Sequence, residues 1–272
     1  MAPLALMRAT EARCRRRQTV QRWRKDYAVP DALGALADRL APAAKRQFLA
    51  ALAKVQRAVN LTALAEALAS GSIIRVDQVL QFQHFATDLQ PLIQTIRQVF
   101  AAAGTLTATR LAAQLGSDLS FTLTNPRAVH WAATSGSQLV THITETTRAG
   151  IRTVIEEGFT LGRAPRESAR LIREMVGLTD PHARAVEAYR AELLAAGRSS
   201  ADVARLTKRY TDQLINLRAR TIARHETLSA SHQGQQETWR QAVDRGLLAP
   251  EKTQRRWSTA NDDRLCDICA PM

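Results

Sequence analysis

Inward-facing side chains return every three or four residues along nearly the whole of this chain, and that period admits few folds. Leu33, Leu36 and Leu40 begin one stripe that Phe48, Leu52, Val55 and Val59 continue. Phe85, Leu89, Leu92, Ile96 and Val99 form another, Leu139, Ile143, Thr147, Ile151 and Val154 a third, and Val203, Leu206, Tyr210, Leu214 and Leu217 a fourth. With about 3.6 residues per helical turn, each stripe is one face of an α-helix. Aromatic residues make up only 5% of the chain, against 45% hydrophobic residues overall, so the helices are expected to meet through Ala and Leu. The fold class expected is mainly α: a multi-helix elongated or bundle architecture.

Punctuation residues divide these stripes into helices. Val29 and Pro30 are expected to close a first helix, with Asp31 capping the next and Pro42 kinking or restarting it. Asn60 caps a short helix that Gly71 closes, and a further helix is read from Val76 to Phe100 with Pro91 as a kink. Gly104 and Gly116-Ser117-Asp118 read as loops around a short Leu/Ala helix. An extended connector then ends in Asn125 as N-cap and Pro126 at the first helical position. The next helix is expected from about Ser137 to Glu157. Asp180-Pro181 opens a later one, Gly177 and Gly197 sit where helices end, and Ser199 or Ser200 caps the last long helix. At 272 residues the chain is long enough for one large domain or two modest ones. A boundary near 116 divides a helical N-terminal region, 1–116, from a helical region, 117–272.

Charge is distributed unevenly. The formal net charge is +13, and residues 1–60 hold 13 Lys and Arg against 4 Asp and Glu. The first stretch carries Arg13, Arg15, Arg16, Arg17, Arg22, Arg24 and Lys25, with Trp23 and Tyr27 interleaved. Such a basic helix suits a polyanion, nucleic acid or an acidic protein face, and equally a solvated surface. Three cysteines do not make a disulfide framework and point to a reducing compartment. No run approaches the ~18 apolar residues of a membrane span, and the N-terminal apolar run is too short for a signal peptide. A soluble protein, or one held in an assembly, is expected.

Few residues suggest chemistry. His225, Ser229, His232 and Gln236 fall on one helix face, and with Glu226 nearby they are candidates for metal or acid–base work. Two histidines seven apart do not match the one-turn spacing of zinc-protease helices, however, and a hydrogen-bonded stripe at a helix interface is the expected role. Arg224 and Glu226 are expected to belong to a structural ion pair or network rather than to act as catalytic groups. Cys266 and Cys269 supply two thiolates from one turn, half of a tetrahedral zinc site or a pair of reduced thiols in a small β-hairpin or knuckle, for which the strand pattern Arg255–Thr259 and the turn Ala260–Asp263 provide the framework. Phosphate-binding glycine loops and nucleophile signatures are absent from the sequence, and no enzymatic activity is expected.

The segment A-R-H-E-T at Ala223 to Thr227, followed some thirty residues on by W-S-T-A-N-D-D-R-L-C-D-I-C-A-P-M, resembles the C-terminal signature of the phage head morphogenesis family typified by the phage Mu F protein, the minor head or minor capsid proteins. F-T-L-T-N-P, L-V-T-H-I-T-E-T-T-R-A-G-I-R and R-E-S-A-R-L-I-R-E-M-V-G-L-T resemble it too, so that the likeness covers roughly 117–272. Arg224, Glu226, Trp257, Asp263, Cys266 and Cys269 fall on motif positions. The resemblance implies a structural virion protein of a tailed bacteriophage, present in several copies inside the head near the portal and in the host cytoplasm during assembly. It would assist head assembly, DNA packaging or DNA delivery. Its implied partners are the portal protein, the major capsid or scaffolding protein, and packaged DNA, with no membrane. Family members usually continue past the Pro-Met into a segment with further His and Cys, so the W-x(5)-D-x-x-C-x-x-C segment reads as truncated here and zinc is implied only for a longer form. The alternative is a DNA-binding module with a zinc knuckle, packaged or ejected with the genome. A metal-dependent hydrolase built on His225, Glu226 and His232 is a third and weaker reading.

Overall fold

The structure, a computed structural model, describes residues 29–252. Nine α-helices are found among them: α1 Val29–Ala58, α2 Leu61–Ala69, α3 Ile73–Leu80, α4 Phe85–Asp88, α5 Gln90–Leu115, α6 Pro126–Thr160, α7 Pro165–Met175, α8 Asp180–Ala195 and α9 Ser200–Asp244. No strand occurs among the described residues. The expected C-terminal hairpin or knuckle lies outside them. No described helix is long and apolar enough to cross a membrane.

Several boundaries follow the caps. Asn60 accepts from the backbone N–H groups of Thr62 and Ala63, both at 3.0 Å, and so satisfies two of the donors that open α2. Asn125 does the same for Arg127 at 3.0 Å, and Ser199 for Asp202 at 3.1 Å. Elsewhere the helices depart from expectation. α1 takes in Val29 and Pro30 and passes through Pro42 without a break. The single helix expected from Val76 to Phe100 is interrupted: Gln81 turns left-handed at φ 52°, a 3-10 turn covers Phe82–His84, and Pro91, having no N–H to leave unpaired, stands in the first turn of α5. α6 begins at Pro126, where the Asn125–Pro126 pair predicts a start, and runs unbroken through Ser137, where a further helix is expected to begin. Thr179 is the cap residue of α8, and Asp180 is already helical. Gly104 is not a loop residue either. It sits inside α5, where a side chain would strike the ring of Phe121.

α9, the longest helix, lies against α5 and α1, which also pack on each other; α6 lies on α8, and α2 on α7. The largest core cluster draws residues from all nine helices, including Phe48, Leu64, Val76, Phe85, Phe100, Ile143, Ile172, Val186 and Ala219. Residue 116 therefore lies in the connector between α5 and α6, and helices from both sides share this core. Phe100 anchors the junction, stacked on Trp131 of α6 at 4.2 Å and edge-on to Phe121 of the connector at 5.6 Å. Gln241 of α9 ties the connector down: its amide donates to the Thr122 carbonyl and accepts from the Thr122 N–H, both at 2.9 Å.

Candidate functional site

The segment Ala223–Thr227 lies in the middle of α9. Ala223 and Thr227 are buried, and the Thr227 hydroxyl donates to the Ala223 carbonyl at 2.8 Å, so burying it strands no polar group. The charged residues between them turn outward. Arg224 is 70% exposed, with Nη1 3.9 Å from Asp38 of α1, itself 61% exposed. A contact that long and that wet is worth little. Glu226 is 26% exposed and lies 4.0 Å from His225 Nε2. Burial raises its carboxyl pKa, while His225 and His142 of α6 pull it back down. Arg224 and Glu226 thus do not form one network: Arg224 reaches α1, whereas Glu226 faces histidines on α6 and its own helix.

In the stripe of His225, Ser229, His232 and Gln236 the first three residues are exposed and only Gln236 is half-buried, so the stripe does not form the expected helix interface. The buried face is made by Thr227, Ala230, Ser231, Gly234 and Thr238. These residues are small, and that decides the matter: the α9 backbone at Gly234 comes so close to α5 that a methyl group there would lie 2.3 Å from the Phe100 carbonyl oxygen. Ser231 donates to the Leu33 carbonyl at 3.2 Å, and Thr238 to the Gly104 carbonyl at 3.0 Å. His225 and His232 are about 10.5 Å apart along the axis, too far to share one zinc ion held at ~2.0–2.1 Å. Among the described residues no group of three or more His, Cys, Asp or Glu is gathered that could hold a metal.

Trp257, Asp263, Cys266 and Cys269 lie outside the described residues, as do Arg13, Arg15, Arg16, Arg17, Arg22, Arg24 and Lys25. The expected zinc knuckle and basic first helix fall on those stretches.

The sequence reading missed Arg218, one of the most constrained side chains in the fold. It is 5% exposed, and its guanidinium donates to Thr147 Oγ1 at 3.0 Å, Thr146 Oγ1 at 2.7 Å, the Ile143 carbonyl at 3.3 Å and the Gly177 carbonyl at 2.5 Å. The Phe48 ring covers it at 5.8 Å. Its partners are neutral, and burial lowers its pKa to about 10. Arg218 therefore fastens α9 to α6 and to the turn before α8. The one sequence signal was its position: it continues the three-to-four spacing of Thr211 and Ile215, both buried.

The Ala223–Thr227 turn of α9 thus displays Arg224 and His225 outward, with Glu226 half-buried beside them. No family model matches this chain, and neither a curated protein nor a solved structure matches it.

Proposed function

We propose that this chain is a structural minor head protein of a tailed bacteriophage, bound inside the head near the portal, and that it acts by holding partners in place rather than by turning over a substrate. One observation carries the reading. In the segment that resembles the family signature, Ala223 and Thr227 are buried while Arg224 and His225 stand 70% and 76% exposed. A catalytic motif needs its reactive groups within a water-excluding recess, whereas a docking motif needs them displayed on a stiff support. The portal protein and the major capsid or scaffolding protein are the partners this reading names.

The test is quantitative mass spectrometry of purified virions and of empty proheads, with wild-type chain and with R224E. Incorporation of several copies, reduced in R224E while its thermal unfolding is unchanged, is the expected result. Absence of the wild-type chain from both particles overturns the reading.

A further inference from the structure

One packing stripe runs along most of α9. Gln241, Thr238, Gly234, Ala230, Thr227 and Ala223 follow it at three-to-four spacing, and all are buried. Toward the N-terminus the same spacing continues through Arg220, Asn216, Gln213 and Arg209, and here the stripe is uncovered: three of the four are exposed and Asn216 is half-buried. Over that first half α9 is held from another side, through buried Val203, Thr207, Thr211, Ile215 and Arg218, with Tyr210 against Tyr189 of α8 at 5.1 Å. The buried face thus changes side near Arg218, and the continuation of the stripe is left bare.

The bare stretch and its flanks form a shallow open trough between Arg205 and Arg220. The one carboxylate in its lining, Asp212, is paired with Lys208 at 2.6 Å, Arg205 is paired with Asp202 at 2.8 Å, and Glu174 of α7 stands near Lys208, which leaves Arg209 and Arg220 as the cations without a carboxylate. Arg209 and Arg220 make no hydrogen bond or ion pair with any described residue. From Arg205 to Arg220 the helix rises about 22 Å, long enough to follow several successive backbone phosphates.

We infer that this trough binds the phosphate backbone of duplex nucleic acid. Charge rules out three other occupants. Residues 1–28 of the same chain hold 8 Lys and Arg against 2 Asp and Glu, so they are repelled. A second copy of the trough would oppose cations to cations. An apolar helix would bury Arg209 and Arg220 without counter-charge, at high cost. Phosphate oxygens accept from both guanidinium groups in the two-point manner that Arg favours, and the amides of Gln213 and Asn216 are donors of the kind that fix register on a nucleic-acid backbone. The inference does not depend on the head-protein reading.

Binding of the full chain to a mixed-sequence DNA duplex, followed by fluorescence anisotropy between ~50 and ~200 mM salt, tests it. R209Q/R220Q is expected to weaken binding about tenfold and to reduce the magnitude of the salt slope by about 1.8, the value for two lost phosphate contacts. R209K/R220K keeps the charges but not the two-point geometry, and is expected to keep the wild-type salt slope while binding more weakly than wild type and more tightly than R209Q/R220Q. R75Q/R152Q removes two exposed cations from α3 and α6 and is expected to lose much less. Failure of the wild-type chain to bind duplex, an unchanged affinity and slope in R209Q/R220Q, or an equal loss in R75Q/R152Q overturns the inference. Capture of polyglutamate in preference to duplex overturns it as well, in favour of an acidic protein.

Discussion

Arg163 and Glu187 form a two-point ion pair inside the fold: Nη1 donates to Oε1 at 3.0 Å and Nη2 to Oε2 at 2.6 Å, with 3% and 6% of the two side chains exposed. The pair bolts the α6–α7 turn to the middle of α8. Removing one partner leaves the other charge buried and uncompensated. E187A is expected to cost about 3–5 kcal/mol in urea unfolding. Replacing both, as R163M/E187L, is expected to recover much of that loss; a double variant no better than E187A would show that the hydrogen bonds, and not the stranded charge, carry the effect.

Gly234 is fixed by contact with backbone. A methyl group there would meet the Phe100 carbonyl oxygen at 2.3 Å and the Gly104 amide nitrogen at 2.9 Å, and neither can swing away as a side chain can. G234A should therefore destabilise by about 1–3 kcal/mol, despite the higher helix propensity of Ala. The denaturant midpoint checks it. G34A in α1, where nothing lies within 4 Å of the added group, is expected to be neutral or stabilising.

Arg218 is held by hydroxyls and carbonyls, and truncation strands the Gly177 carbonyl in the interior, whereas the Ile143 carbonyl keeps the Thr147 hydroxyl at 2.7 Å. R218A is expected to cost about 1–3 kcal/mol for the unpaired acceptor, with a cavity beside Phe48 adding to it. Urea unfolding measures the sum.

Glu226 gives a pH dependence of defined sign. Its carboxyl is raised above the ordinary 4.5 by burial, so the folded chain holds this proton more tightly than the unfolded chain does. Its contribution to stability is then largest at acid pH and is lost as pH climbs from about 4.5 through the raised value. Relative to wild type, E226Q should become progressively more stable across that climb. Unfolding midpoints of the two proteins from pH 4 upward read the difference, and a gap that is flat or that moves the other way rules this account out.

Asn60 accepts two backbone N–H groups at the start of α2. N60A is expected to lower stability by about 1 kcal/mol, and N60D to stay near wild type, because Asp caps as well as Asn. Thermal unfolding distinguishes them.

The amino-acid sequence by itself determined the helical class, the caps at Asn60, Asn125 and Ser199, and the apolar stripes of α1, α5 and α6, whose Phe48, Leu92 and Ile143 are fully buried. These are local matters: a side chain bonding its own backbone, or a period of hydrophobicity, needs no knowledge of a distant partner. Only the tertiary structure decided which side of α9 is inside. The stripe from Val203 through Leu206, Tyr210 and Leu214 to Leu217 is buried only at Val203, and Leu217 is 44% exposed. The buried face has only Val203 and Ile215 as larger apolar residues, and is otherwise built from Ala, Thr, Ser, Gly, Gln, one Glu and one Arg. Hydrophobic periodicity cannot register such a face, because its stability comes from close backbone approach and from hydrogen bonds to helices that lie far away in sequence. The same limit applies to the site. Spacing put Arg224, His225 and Glu226 together, but their outward display and the uncovered stripe from Arg209 to Arg220 depend on where α1, α5, α6 and α8 pack against α9.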